Sequence, residues 1–89
     1  MREPYRVEFE RNAQRALRRL PDATAGSLER PVDELEHEPR PRGALKLSGR
    51  VDSYRLRVGE YRIVYAVFDR ERLVKVLDIM RRTGQTYRK

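Results

Sequence analysis

Tyr54-Arg55-Leu56-Arg57-Val58-Gly59-Glu60-Tyr61-Arg62-Ile63-Val64-Tyr65 reads as two strands and the turn that joins them. Both flanks alternate apolar and polar residues, and Gly59-Glu60 supplies the Gly-X pair of a two-residue hairpin loop. With those two residues in the loop, Val58 faces Tyr61, Arg57 faces Arg62, Leu56 faces Ile63 and Arg55 faces Val64. Side chains alternate between the faces of a sheet, so Tyr54, Leu56, Val58, Tyr61, Ile63 and Tyr65 share the core side. Arg55, Arg57 and Arg62 share the other. Like charges directly opposite one another destabilise a strand pair unless an anion sits among them, and a guanidinium binds phosphate through two parallel hydrogen bonds. The alternative is a solvated face whose arginines pair with Asp52, Glu60 or Asp78.

Outward from the hairpin, the second strand runs on to Phe68, and a third β-rich run, Leu73 to Met80, follows the polar turn Asp69-Arg70-Glu71. Near the start of the chain, Tyr5, Val7 and Phe9 alternate with Arg6, Glu8 and Glu10, the pattern of a short half-buried strand. Ala13, Ala16, Leu17 and Leu20 then recur at helical spacing until Pro21. Asp22 is placed to cap a second helix, in which Leu28, Val32 and Leu35 keep the 3.6-residue period up to Pro39. Pro31 inside that stretch predicts a kink, or a helix that starts near Pro31. His37 to Gly49 reads as an extended connection pinned to the core by Leu45 and Leu47. The order β-α-α-β-β-β implies an α+β fold, a small antiparallel sheet with two N-terminal helices packed on one face. Residues 1–89 are expected to form one domain.

The charge distribution supports an anionic partner. The chain carries +7, divided as +1 over Met1 to Gly49 and +6 over Arg50 to Lys89. One strongly basic half is the electrostatic footprint of a phosphate-backbone binder, although an acidic protein or a membrane surface fits the number equally well. Cysteine is absent, which excludes disulfides, thiolate metal sites and a cysteine nucleophile. The first ten residues lack a long apolar run, so neither a signal peptide nor a membrane span is expected, and the reading is a cytoplasmic protein with no membrane contact. A lone histidine, His37, and scattered carboxylates make no set of metal ligands, and no glycine-rich nucleotide loop is present. No metal and no cofactor are therefore expected. The last strand should deliver Arg81, Arg82, Tyr87, Arg88 and Lys89 near the same sheet. There Tyr87 reads as a stacking platform for a base, a proton-transfer group or a residue on a frayed tail, and from the residues alone the tail reading leads.

The blocks Tyr5-Arg6-Val7-Glu8-Phe9, Leu17-Arg18-Arg19-Leu20-Pro21, Leu45-Lys46-Leu47-Ser48-Gly49 and Asp52 to Tyr65 together resemble the RelE/ParE superfamily of type II toxins, and its RelE branch in particular. The most specific part is YRLRVGEYRIVY, where strand pattern and arginine placement match together. The resemblance implies a microbial-ribonuclease-like fold, a cognate RelB-like antitoxin, and cleavage of mRNA in the A site of the 70S ribosome. Operator DNA would be bound only through the antitoxin complex. It also implies the site: Arg55 and Arg57 take the places of two basic residues often found as lysine, and Arg62 matches the arginine of the next strand. Arg82 matches the arginine at the end of the last strand and Tyr87 the C-terminal tyrosine. Where many relatives have a Gly-His-Arg-Arg-like segment this chain has Met80-Arg81-Arg82-Thr83-Gly84-Gln85-Thr86-Tyr87, which leaves Arg81 as an alternative to Arg82. Arg81, Arg88, Lys89, Lys46 and Arg50 are the further candidates for holding RNA.

An enzyme of this kind needs no external nucleophile, because the RNA 2′-OH attacks the neighbouring phosphate. Guanidiniums would stabilise the charge that develops on phosphorus. Arginine is a poor proton acceptor, so the base would be Tyr87, the substrate or ribosomal RNA, and free RNA should be cut poorly. Two rivals remain open: a ParE-like inhibitor of DNA gyrase, and a non-catalytic toxin-like module acting as corepressor.

Overall fold

The computed structural model describes residues 3–47, 49 and 52–81. Its elements are β1 (Arg6–Phe9), α1 (Arg11–Arg19), α2 (Asp22–Glu34), β2 (Leu45–Lys46), β3 (Ser53–Val58), β4 (Tyr61–Phe68) and β5 (Leu73–Arg81). The five strands form one sheet in the order β1-β5-β4-β3-β2, so β4 lies at the centre. Every pair is antiparallel except β1 with β5, which runs parallel from Arg6 opposite Leu73 to Phe9 opposite Val76. The sheet is therefore mixed, which corrects the wholly antiparallel expectation. The two helices between β1 and β2 return the chain so that β1 lies alongside β5 in the same direction, a pairing that hairpins cannot make.

The helices cover one face of the sheet. Ala13 of α1 and Leu28, Val32 and Leu35 in and just after α2 are buried against Tyr54, Leu56, Ile63, Tyr65, Val74, Val76 and Ile79. Full burial of side chains such as Ile63 and Val74 stabilises the fold by roughly 1.5–3 kcal/mol each. The turn Gly59-Glu60 has the expected geometry. Gly59 has φ +58° while Glu60 is not in the left-handed region, the pattern of a turn that needs glycine only at its first loop position.

Three other expectations are corrected. Asp22 does not cap α2; Pro21 holds the N-cap position and Asp22 is the first helical residue, where its charge faces the positive end of the helix dipole. Pro31 does not start α2, which runs as one helix from Asp22 to Glu34 with Pro31 inside it. It lies within four residues of the helix end, so the amide it lacks removes a single late bond of the helix. Leu45 does not pin the connection to the core. It is 54% exposed, and Leu45–Lys46 instead adds a fifth strand at the edge beside β3.

Candidate functional site

The hairpin register places Arg57 opposite Arg62, Arg55 opposite Val64 and Leu56 opposite Ile63. Tyr54, Leu56, Ile63 and Tyr65 are buried under the helices, so Arg55, Arg57 and Arg62 lie together on the opposite, uncovered face. Arg57 is exposed, and Arg55 and Arg62 are half-buried. The Nε atoms of Arg55 and Arg62 are buried and have no hydrogen-bond partner. A buried donor on a cation is costly to leave unpaired, so these two atoms mark where an acceptor is wanted.

The carboxylates that sequence spacing offered to the arginines are engaged elsewhere. Glu60 holds Arg81 at 2.9 Å, and Asp52 binds Arg40 and Lys46. Asp78 lies on the arginine face, opposite Val64, but its Oδ1 accepts the backbone N–H of Ile79 at 2.8 Å. Among the described residues no acidic side chain forms an ion pair with Arg55, Arg57 or Arg62.

A bulge in the β4–β5 pairing decides what else reaches this face. Val64 pairs with Asp78 but Tyr65 pairs with Val76, which leaves Leu77 as the extra residue. The parity of β5 flips there, so Val76 and Ile79 both enter the core and Asp78 and Met80 join the arginines. Leu45, opposite Arg55, and Met80, opposite Arg62, are 54% and 40% exposed and flank the cluster on its two sides. Sequence reasoning missed both as neighbours of the site. The signal for Met80 was the broken alternation Val74, Val76, Ile79.

Not every candidate joins the cluster. Lys46 lies opposite Tyr54, on the helix side of the sheet, with its Nζ 3.6 Å from Asp52. Arg81 lies opposite Tyr61, one residue out of phase with Met80, and is held by Glu60. That position puts Arg81 on the Tyr61 side of the sheet rather than beside Arg62. Arg50, Arg82, Tyr87, Arg88 and Lys89 lie outside the described residues.

A second arginine cluster was not foreseen. Arg40, in the connection after α2, donates from Nε to the Tyr54 hydroxyl at 2.7 Å and from its terminal nitrogens to Asp69 at 2.8 and 3.1 Å, and also to Asp52. Tyr5 donates to Asp69 at 2.5 Å and Tyr54 to Asp52 at 2.8 Å. Hydrogen bonds from Arg40, then from Tyr54, hold Asp52 below the usual carboxylate range; Arg40, then Tyr5, do the same for Asp69. The hydrogen bond to Asp69 pushes the Tyr5 hydroxyl up. This cluster binds four segments at the end of the sheet away from the Gly59 turn, and every group in it has a partner.

The sequence and the overall fold are matched by relatives. The model of the ParE toxin of type II toxin–antitoxin systems matches residues 7–85. The chain belongs to the RelE/ParE superfamily of toxins. A putative toxin RelE1 from Methanocaldococcus jannaschii is 26% identical over 83 residues, covering 90% of this chain and 92% of that protein. The RelE–RelB complex from Pyrococcus horikoshii contains a chain that is 33% identical, with a TM-score of 0.78 over 92% of this chain and 99% of that one. The isolated RelE toxin of Escherichia coli gives a TM-score of 0.79 at 26% identity, over 91% of this chain and 87% of that one. The α+β architecture of two helices on a five-stranded mixed sheet is thus that of the RelE toxins. No helix among the described residues is long and apolar enough to cross a membrane.

Proposed function

We propose that this toxin is a ribosome-dependent endoribonuclease that stops translation by cutting mRNA in the A site, and that a RelB-like antitoxin holds it in check. The observation that carries this reading is the uncovered face with Arg55, Arg57 and Arg62, with two buried Nε donors unsatisfied and, among the described residues, no carboxylate paired to any of them. Such a face is preorganised for a phosphodiester. In the reaction the RNA 2′-oxygen bonds to phosphorus and the P–O5′ bond breaks, giving a 2′,3′-cyclic phosphate and a 5′-OH. The 2′-OH proton passes to the base and a proton is returned to the leaving 5′-oxygen. The arginines neutralise the phosphorane and align it, and because the nucleophile is internal the scheme calls for no metal-bound water. Arg82 and Tyr87 complete the proposed site, Tyr87 as the proton-transfer group. The antitoxin assignment is supported by the RelE–RelB complexes among the similar structures.

The test is to map mRNA 5′ ends after brief induction. Cuts phased to A-site codons are expected. Arg62→Ala should lower cleavage on translating ribosomes by about 10²–10³, the usual effect of removing a group that stabilises transition-state charge, with the fold intact. Arg82→Ala should do the same, and Tyr87→Phe should keep RNA binding while losing turnover. Full activity in all three variants would remove the proposed site.

The ParE family match favours one other reading, a poison of DNA gyrase in which the arginines bind protein or DNA rather than act as catalysts. The same induction separates the two. A gyrase poison leaves mRNA intact and triggers a DNA-damage response before translation falls.

A further inference from the structure

The outer face of α1 has no part in the proposed ribonuclease site. Its nine residues include Arg11, Arg15, Arg18 and Arg19, with no acidic residue in the first turn. At 100° per residue, Arg11, Arg15 and Arg18 fall within about 60° of one another, and Ala13, Ala16, Leu17 and Leu20 point to the opposite side, into the core. All four arginines are exposed, and among the described residues none of them forms an ion pair. Arg11, Gln14, Arg15 and Arg18 line a shallow polar depression of about 330 Å³.

This arrangement weakens the helix that carries it. Arg11–Arg15 and Arg15–Arg19 are like charges one turn apart, and Arg11 sits at the positive end of the helix dipole. A surface helix usually offsets such charges with interspersed Asp or Glu, and α1 has none. The row runs along the axis in steps of about 6 Å and 4.5 Å, a repeat that suits successive phosphates on one strand. Asn12 and Gln14 are the exposed residues between the arginines, so the stripe has no apolar anchor of the kind on which protein interfaces depend. Charge without an apolar centre is the signature of phosphate-backbone binding, which positions a nucleic acid without reading its sequence.

We propose that the outer face of α1 is a second RNA-docking surface, which takes the phosphate backbone of a folded RNA. The helices lie on one side of the sheet and Arg55, Arg57 and Arg62 on the other, so the two surfaces face opposite ways and engage different strands. α1 anchors the chain to structured RNA while the sheet face remains free for the strand to be cut.

The experiment is fluorescence anisotropy of the full chain with a labelled 2′-O-methyl RNA hairpin, which cannot be cut by 2′-OH attack. Arg11→Gln/Arg15→Gln/Arg18→Gln should weaken binding at least about tenfold and lower the slope of log Kd against log salt by about 2–3, close to one unit for each phosphate that is no longer neutralised. A variant with equal charge loss on other surfaces, Arg30→Gln/Arg42→Gln/Arg70→Gln, should keep most of the parent's affinity and slope. Circular dichroism of the α1 variant should show undiminished helix, because the substitution removes repulsion. Parental binding by the α1 variant overturns the proposal, as does equal weakening in the matched control, which would show net charge alone at work. Competition by poly-glutamate as effective as by unlabelled hairpin also overturns it, in favour of an acidic protein partner. The probe is not a substrate, so failure of the ribonuclease reading leaves this result unaffected.

Discussion

Arg40 and Arg62 belong to the same small molecule and meet opposite treatment. The Arg40 guanidinium bonds to Asp52, Asp69 and the Tyr54 hydroxyl, and lies 5.4 Å from the centre of the Tyr54 ring. Arg62 has a buried Nε with no partner and faces Arg57, a second cation. Asp52 precedes Arg55 by three residues, yet it turns to Arg40. The fold thus turns Asp52 and Asp69 to Arg40 at one end of the sheet, while among the described residues no carboxylate forms an ion pair with Arg55, Arg57 or Arg62. An arginine saturated by the protein holds segments together; one left bare in a half-buried place is available to something that arrives from outside.

The first way to break that contrast is to remove the saturated arginine. Arg40→Met should lower stability by about 1–3 kcal/mol, read as a fall in the urea midpoint, because four hydrogen bonds to charged or hydroxyl partners disappear together. The effect should not be larger, since Asp52 and Asp69 are 31% and 53% exposed and water replaces part of what Arg40 supplied. Cleavage per folded molecule should be unchanged. A variant that kept its stability but lost activity would place Arg40 in the site and erase the distinction.

The two clusters also differ in how far the sequence revealed them. The hairpin arginines were legible because all the information is local: a two-residue loop fixes the register, and a period of two fixes the faces. The parallel β1–β5 pairing was not, since the partners lie more than sixty residues apart and nothing within Arg6–Phe9 names the strand it joins. The Arg40 cluster draws Tyr5, Arg40, the pair Asp52 and Tyr54, and Asp69 from four segments, and no spacing rule connects those segments. The bulge at Val64/Tyr65 lay in between. One extra residue between Val76 and Ile79 disturbs the alternation visibly, but only the pairing with β4 shows that Asp78 and Met80 turn towards the arginines.

Acid sharpens the comparison by acting on one cluster alone. Asp52 and Asp69 have folded-state values below the ordinary carboxylate value, with Arg40 the first cause for both. Groups depressed in the folded state contribute stability that is present above the unfolded value and lost as pH falls through the folded one. Stability should therefore be flat from about pH 8 to 5 and decline below about pH 4, where these carboxylates take up protons. Thermal melts of Arg40→Met across the same range should show a shallower acid limb than the parent. A limb of parental steepness would assign acid unfolding to other carboxylates.

The smallest effect is the most discriminating, because its sign differs from the usual one. Arg57 is exposed, has no carboxylate partner and faces Arg62 across the β3–β4 ladder, so in the absence of a bound anion its charge opposes the pairing. Threonine at that position keeps a good strand former and removes the repulsion. Arg57→Thr should thus raise stability by about 0.2–1 kcal/mol, whereas most substitutions lower it. The gain should reverse in the presence of a 2′-O-methyl oligonucleotide. Ligand that binds the folded state raises its stability, and the parent, with three arginines for the phosphate, should gain more than the variant with two. Melting curves with and without the oligonucleotide test both halves at once. A variant less stable than the parent without RNA would mean that Arg57 is satisfied within the protein, as Arg40 is, and the sheet face would lose the property that singles it out.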